Sequence, residues 1–427
     1  MRLFPWRALR WVCAAAALTA VAVAQSLAVI DPEEVGLSSE RLRRIDEVVG
    51  EHIAARQLAG AVTLVARRGG IAHLKAHGMS DVEAKRPMRT DTIFRIASMT
   101  KPVTSVAVMM LYEEGRFLLT DPVSLYLPEF KEMKVLPPEG AGGEPVPAKR
   151  PITIRHLLTH TSGLTYHWNK RLGPVLQNAG ITHGLIQDEG TLREKMKILA
   201  SLPLLFHPGE RFEYGLSTDV LGCLVEAVSG MSLDEFFRRR IFEPLGMEDT
   251  HFFLPEEKVS RLAAVYRRGE NSPIERVPEG PVAEEAGMAY SVSYPYRGPK
   301  RYYSGGGGLV STASDYARFA QMLLNGGELD GVRLLSPKSV ELMTANHVGG
   351  LDVDFGFGLG FGVVRDERDL KELGSVGRYG WGGFFYTDFF IDPQEELIGI
   401  FMAQLHPSGG LRLQEKFRVL ATQAIVE

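Results

Sequence analysis

Phe94-Arg95-Ile96-Ala97-Ser98-Met99-Thr100-Lys101-Pro102-Val103-Thr104 is the stretch on which the reading of this chain turns. A short approach (Ile96, Ala97) leads into Ser98. Apolar residues then recur at helical spacing: Val103, Val106, Ala107, Met110 and Leu111. This places Ser98 at the first turn of a buried helix with Lys101 three residues on, so hydroxyl and ammonium share one helix face. Pro102 is compatible with a helix only near its first turn, where few backbone donors are committed. A serine beside an amine at the positive end of a helix is a candidate activated nucleophile. Taken alone, the same string also describes a helix cap followed by a solvated lysine.

Working outward, the chain has 427 residues, 45% hydrophobic and 23% charged, enough for a large core. A net charge of -4 without long runs of one sign gives no reason to expect nucleic acid or an anionic membrane as partner. The N-terminus reads as a signal peptide over residues 1–24. Arg2, Arg7 and Arg10 form a basic region, Trp11 to Val21 an apolar one, and Ala22-Val23-Ala24 supplies small residues for cleavage after Ala24. The exported chain, periplasmic or secreted and without a membrane anchor once cleaved, would keep only Cys223. It therefore has no internal disulfide. Cys223 lies in the apolar run 220–225, as a buried structural thiol would.

In the mature chain, Ser38 or Ser39 opens a helix with Leu42, Ile45, Val48, Val49 and Ile53 at the helical period. Ala61 to Ala66 and Ile71 to Gly78 form strands around the turn 67–70. From Ser98 the texture is helical. Caps are expected at Thr153, Thr191, Ser232, Thr312 (or Ser311) and Ser336, with a helix over Leu216 to Ser229. Strands return over Phe355 to Val364, Gly380 to Ile391 and Leu397 to Gln404, with a turn at 392–395 and a closing helix from Leu411 to Val426. The expected architecture is α+β. An antiparallel sheet assembled from both chain ends (about 35–95 and 340–427) is flanked by N- and C-terminal helices, with a mainly helical insert over about 96–339.

Further stretches bear on chemistry. Phe212-Glu213-Tyr214-Gly215-Leu216-Ser217 follows a Pro-Gly turn that can present Tyr214 into a cleft. Gly380-Trp381-Gly382-Gly383-Phe384 puts glycines in a strand, a mark of close backbone approach. Ser304-Gly305-Gly306-Gly307-Gly308 lacks the Lys-Ser/Thr of a phosphate loop and reads as a flexible loop near a site wall. His156 and His160 have zinc-helix spacing, but no glutamate base lies between them and no third ligand is evident, so no metal and no cofactor are expected. There is no G-x-S-x-G elbow.

Ser98-Met99-Thr100-Lys101, Tyr214 and Trp381-Gly382-Gly383 resemble, in order and rough spacing, the three active-site motifs of the serine β-lactamase and penicillin-binding superfamily. They look most like its class C β-lactamase-related esterases, the family VIII carboxylesterases. Leu157 to Leu164, Gly306 to Thr312 and Ile391-Asp392-Pro393 also match segments typical of that group. The resemblance implies a β-lactamase/transpeptidase-like fold from about residue 35 onward. It makes Ser98 the acyl-accepting nucleophile, Lys101 its base or proton relay and Tyr214 a second base or acid. The backbone N–H groups of Ser98 and Phe384 would form the oxyanion hole, and Trp381, Gly382, Gly383 and Leu216 would contact substrate. Two groups that ordinarily ionise near pH ~10 can depress one another in such a site, and which of them takes the serine proton stays open.

Departures from the lactamase pattern bear on substrate. Trp381 stands where lactamases carry lysine or histidine, and Leu216 where class C enzymes carry an amide-binding asparagine. Losing both polar handles favours a neutral ester against an apolar wall, while Arg378 is close enough in sequence to replace the missing cation and so leaves room for weak lactamase activity. The expectation is a serine hydrolase cleaving small-molecule carboxylic esters through an acyl-serine. The alternatives are a β-lactamase or D,D-peptidase on the same scaffold, and a catalytically silent binding protein.

Overall fold

The computed structural model describes residues 27–282 and 287–427; the expected signal peptide lies outside them. Helix α1 (Ser39–Ala54) starts where Ser38 accepts a hydrogen bond from the Arg41 N–H, and it buries Leu42, Ile45 and Val49. Strands β1 (Gly60–Arg67), β2 (Gly70–Asp81) and β3 (Arg86–Pro87) follow. Then come α2 (Thr100–Glu113), α3 (Ile154–Leu158), α4 (Ser217–Ser229) and α5 (Ala313–Leu324). The chain returns to the sheet with β4 (Gly356–Phe357), β5 (Gly362–Val363), β6 (Tyr379–Gly383), β7 (Thr387–Asp392) and β8 (Leu397–Met402), and ends on α6 (Leu413–Thr422).

The eight strands form one antiparallel sheet in the order β4-β5-β6-β7-β8-β1-β2-β3. The two chain ends meet where β8 pairs with β1, Val62 opposite Met402 through Arg67 opposite Leu397. Both strands are buried along their whole length because both faces of the sheet are covered. Alternate residues divide between two cores. Ala61, Val65, Leu397 and Phe401 pack with α1 and α6, whereas Val62, Leu64, Ile398, Ile400 and Met402 pack with α2, α4 and α5. The helical insert and the terminal helices therefore lie on opposite faces.

All five expected caps are present: Thr153, Thr191, Ser232, Thr312 and Ser336 each accept a backbone hydrogen bond at a helix start. Two expected strands are each a pair. Gly380 to Ile391 is the hairpin β6-β7, turning at 384–386, and Phe355 to Val364 is the hairpin β4-β5. The first turn carries neither Gly nor Pro. Tyr386 adopts φ +73° there, held by its hydroxyl, which donates to the Leu411 carbonyl (2.6 Å) and accepts from the Leu413 N–H (2.9 Å). Tertiary hydrogen bonds thus supply what turn residues ordinarily do. Cys223 is buried in α4, and burial pushes its thiol up to about 12, so it is inert at neutral pH. Among the described residues, no helix is long and apolar enough to cross a membrane.

Burial also sets an acid limit. It is the first cause that pushes His73 and His183 down to about 3, and His77, His156 and His251 down to about 4. The unfolded chain takes up protons at these sites below pH ~6.5 while the native chain does not. Their contribution is therefore whole above pH ~6.5 and is lost as the pH falls toward the folded values. Asp315 and Asp388, raised to about 6 by burial, act in the opposite sense, since the native state protonates first. Burial likewise lowers His160, His167 and His347 and raises Asp46, Asp219, Glu226 and Asp234, so eight histidines stand against six carboxyls and leave a net loss. Scanning calorimetry should show Tm falling by roughly 5–10 °C between pH 6.5 and 4.5; a flat or rising Tm would contradict the balance.

Candidate active site

Ser98 lies on a 3₁₀ turn, Ala97–Met99, directly ahead of α2. Ala97 and Met99 are fully buried while Ser98 is partly exposed, so the turn offers one hydroxyl to the cleft. Ala97 has φ +43°, a conformation costing a non-glycine residue on the order of 1 kcal/mol. Its neighbours hold it there. The Ile96 N–H donates to the Leu309 carbonyl (3.1 Å), the Met99 N–H to the Ile96 carbonyl (3.0 Å), and the Tyr316 hydroxyl to the Met99 carbonyl (2.9 Å). Pro102 is the third residue of α2, where its missing donor costs nothing.

Lys101 is 1% exposed, and its three donors are all used. Nζ donates to the Gly306 carbonyl (2.7 Å), Tyr166 Oη (3.1 Å) and Ser98 Oγ (3.3 Å). It also stands 4.5 Å from the centre of the Tyr214 ring and 5.3 Å from that of Tyr166. Lys101 therefore meets the face of Tyr214, and the hydroxyl beside it belongs to Tyr166. Tyr214 Oη instead accepts a hydrogen bond from Trp381 Nε1 (3.0 Å), so the second and third motifs are joined by their side chains.

Tyr214 is positioned by the segment after α3. His160 Nδ1 accepts from the Gly215 N–H (3.3 Å), the His160 carbonyl accepts from the Glu213 N–H (2.8 Å), and the imidazole lies against the Tyr214 ring. Burial, then Lys101, holds His160 well below its ordinary value, so the ring is a neutral acceptor committed to the backbone. His156 closes the capping box of α3.

Three groups escape sequence reasoning: Tyr166, the Gly306 carbonyl and Asp219. Burial, then Asp219 and Tyr214, raises the Tyr166 phenol well above its ordinary value, so it stays protonated beside Lys101. Asp219, fully buried on α4, accepts from Ser304 Oγ (2.6 Å) and the Gly306 N–H (3.3 Å). It thereby fixes the carbonyl that grips Lys101, and burial raises its carboxyl. Tyr166 follows the Leu157–Leu164 segment by two residues, which was the one signal for it. Asp219 sits among apolar helix residues, where a carboxylate invites the question of its partner.

The glycine loop is a correction. Residues 304–308 do reach the site, through the Gly306 carbonyl, but as a buried segment and not an open flexible loop, and Gly306 leaves no room for a Cβ beside Asp219 and Tyr166. Leu216 is a second: it is 0% exposed and packs into the core under α4, so it offers no surface to a substrate. Arg378 is a third. It is buried in an ion pair with Glu372 (3.1 Å) and alternates to the face of β6 opposite Trp381.

Gly383 lets β6 close on the Ser98 turn, because a Cβ there would collide with the Ile96 carbonyl and Thr387 Oγ1. This contact brings Phe384 next to that turn, with Gly382 and Gly383 partly exposed beside it. Around Trp381 and Tyr214 stand Trp168, stacked on Tyr214 at 6.1 Å, and Phe357, edge-on to Trp381 at 5.2 Å. Phe212 and Phe355 extend this partly exposed aromatic wall.

A family model for Beta-lactamase matches residues 45–424. The chain belongs to the beta-lactamase family. It is a serine hydrolase with a beta-lactamase-type fold. Esterase EstB of Burkholderia gladioli is 34% identical over 375 residues, covering 85% of this chain and 90% of EstB. The solved structure of EstCE1, described as a hydrolase with promiscuous acyltransferase activity, superposes with a TM-score of 0.77 at 29% identity. It covers 91% of this chain and 99% of that one. A simvastatin synthase from Aspergillus terreus (the LovD6 mutant) gives a TM-score of 0.74 at 25% identity, over 92% and 98% of the two chains.

Proposed function

We propose that this beta-lactamase-family hydrolase cleaves carboxylic esters with apolar acyl groups through an acyl-Ser98 intermediate. The observation that carries the reading is a Ser98 hydroxyl 3.3 Å from the buried Lys101 amine, beside an aromatic wall. Ser98 Oγ bonds to the ester carbonyl carbon and gives up its proton to the Lys101 and tyrosine group. Lys101 can accept it only as the free amine, so the ammonium that donates to Ser98, Tyr166 and Gly306 has first to lose one proton. The alkoxy group then leaves with that proton. Water repeats the attack on the acyl-serine carbon, releasing the carboxylic acid and restoring Ser98. The backbone N–H groups of Ser98 and Phe384 are the proposed donors to the transient oxyanion. Similarity to EstB and EstCE1 supports ester chemistry, and the promiscuous acyltransferase activity described for EstCE1 supports acyl transfer as a variant. Arg378, spent on Glu372, weakens the lactamase alternative, which needs a cation for the substrate carboxylate.

The deciding assay pairs p-nitrophenyl butyrate with nitrocefin. Ester hydrolysis should dominate; nitrocefin turnover far above it would reverse the substrate assignment. The two tyrosines should separate. Tyr214→Phe removes the oxygen that Trp381 orients and is expected to lower kcat by about 10²–10³. Tyr166→Phe removes one of three partners of Lys101 and is expected to lower it by about 10–10². A larger loss in Tyr166→Phe, measured by steady-state kinetics, would exchange their roles. We further propose export by residues 1–24, to be read from the N-terminal sequence of periplasmic or secreted protein, expected to begin at Gln25.

A further inference from the structure

Away from the serine site, β2 carries His73 and His77 on the face that receives α1, and α1 places Asp46 over them. The imidazole Nε2 atoms both approach Thr63 Oγ1, at 2.8 and 2.9 Å, and Asp46 Oδ1 lies 3.9 and 3.8 Å from them. One ligand atom from each of the three residues falls within 4.8 Å of the other two. Thr63 accounts for the two rings, since its hydroxyl donates to one and accepts from the other. It does not account for the carboxylate. Asp46 Oδ1 is buried with no hydrogen-bond partner among the described residues, a condition costing about 1–3 kcal/mol.

We propose that Asp46, His73 and His77 bind one divalent transition-metal ion of the zinc class. Two imidazole nitrogens and a carboxylate oxygen are the donor set that such ions take, with a fourth position for water or the Thr63 hydroxyl. The distances suit this. A tetrahedral centre with bonds of about 2.0–2.1 Å has donor–donor edges of about 3.3–3.4 Å. The Asp46 contacts need to contract by about half an ångström to reach that, a small side-chain adjustment. The ion would supply the missing partner of Asp46 Oδ1 and clamp α1 to the strand beside β1. The charges facing it are Lys75, exposed between the two histidines on β2, and Glu47 and Arg43 from α1. Thr63, like Ala61 and Val65, faces the core under α1, whereas Ile96 and Met99, on either side of Ser98, belong to the core on the other side of the sheet. The ion therefore serves stability and leaves ester turnover alone.

The test uses the full mature chain, stripped with a chelator and titrated with Zn²⁺ and Co²⁺ separately. One equivalent should bind. Zn²⁺ at a hundredfold over its Kd should raise Tm by about 3 °C, and Co²⁺ should give a visible absorption band. Asp46→Asn and His77→Gln alter side chains that both keep some exposure, with little change of volume, and each should weaken binding by at least tenfold with ester hydrolysis unchanged. Lys75→Gln, which removes the neighbouring cation, should tighten it by about threefold or more. Absence of a stoichiometric site, or binding undiminished in both Asp46→Asn and His77→Gln, would overturn the proposal.

Discussion

Ser98→Ala is expected to lower ester turnover by about 10⁴–10⁶-fold while leaving Tm within about 2 °C of the parent. The loss is large because every later step depends on the Oγ–acyl bond. Without the hydroxyl, Lys101, the tyrosines and the oxyanion donors have only water to act on. The fold should be indifferent. Ser98 is partly exposed, and its side-chain hydrogen bond is to Lys101, which keeps Gly306 and Tyr166 as partners. The turn is held by backbone groups of Ile96 and Met99, and the substitution does not touch them. Intact mass measured after brief exposure to an activated ester should show one acyl group on the parent and none on the variant. Undiminished turnover in Ser98→Ala would end the acyl-serine mechanism.

The second large effect is expected at Lys101. Lys101→Met should reduce kcat/KM by about 10³–10⁵-fold, and Lys101→Arg by a similar factor. The arginine variant carries the argument. It keeps the positive charge, yet a guanidinium cannot give up its proton in a protein and so cannot receive one from serine. If Lys101→Arg retained activity, the lysine would act through charge alone. Stability should respond less than activity. Methionine fills a similar volume and removes a buried charge, which favours folding, but it strips the Gly306 carbonyl and Tyr166 of a donor, which does not. Circular dichroism and Tm on both variants separate loss of chemistry from loss of fold.

The same pocket shows how far linear spacing carries. Ser98 and Lys101 are three residues apart on one turn, so their proximity is a local property, legible from the string alone. Tyr214 and Trp381 were found because their motifs are contiguous, though nothing local says that the indole N–H meets the phenol oxygen. Tyr166 and Asp219 carry no such signature. Their meaning arises only when the segment after α3, the helix α4 and the loop 304–308 converge on one amine. Leu216 departs from the sequence expectation for the reciprocal reason. Its neighbour Tyr214 faces the cleft, and a turn of backbone sends Leu216 into the core.

What the sequence determined by itself was therefore local or periodic: helix caps whose side chains bond within three residues, the apolar runs of β1 and β8 near the two ends of the chain, and the placement of Ser98 and Lys101 on one turn. Tertiary structure decided what depends on groups distant along the chain. It bent the run from Gly380 to Ile391 into a hairpin through the hydrogen bonds of Tyr386 with the start of α6. It gave Lys101 the hydroxyl of Tyr166 and the face of Tyr214, and it turned Arg378 to Glu372 and away from the cleft. The physical division is one of range. Caps and strand alternation are settled within a few residues, whereas the partners of a buried amine are whatever the packing of remote segments leaves within about 3 Å of it.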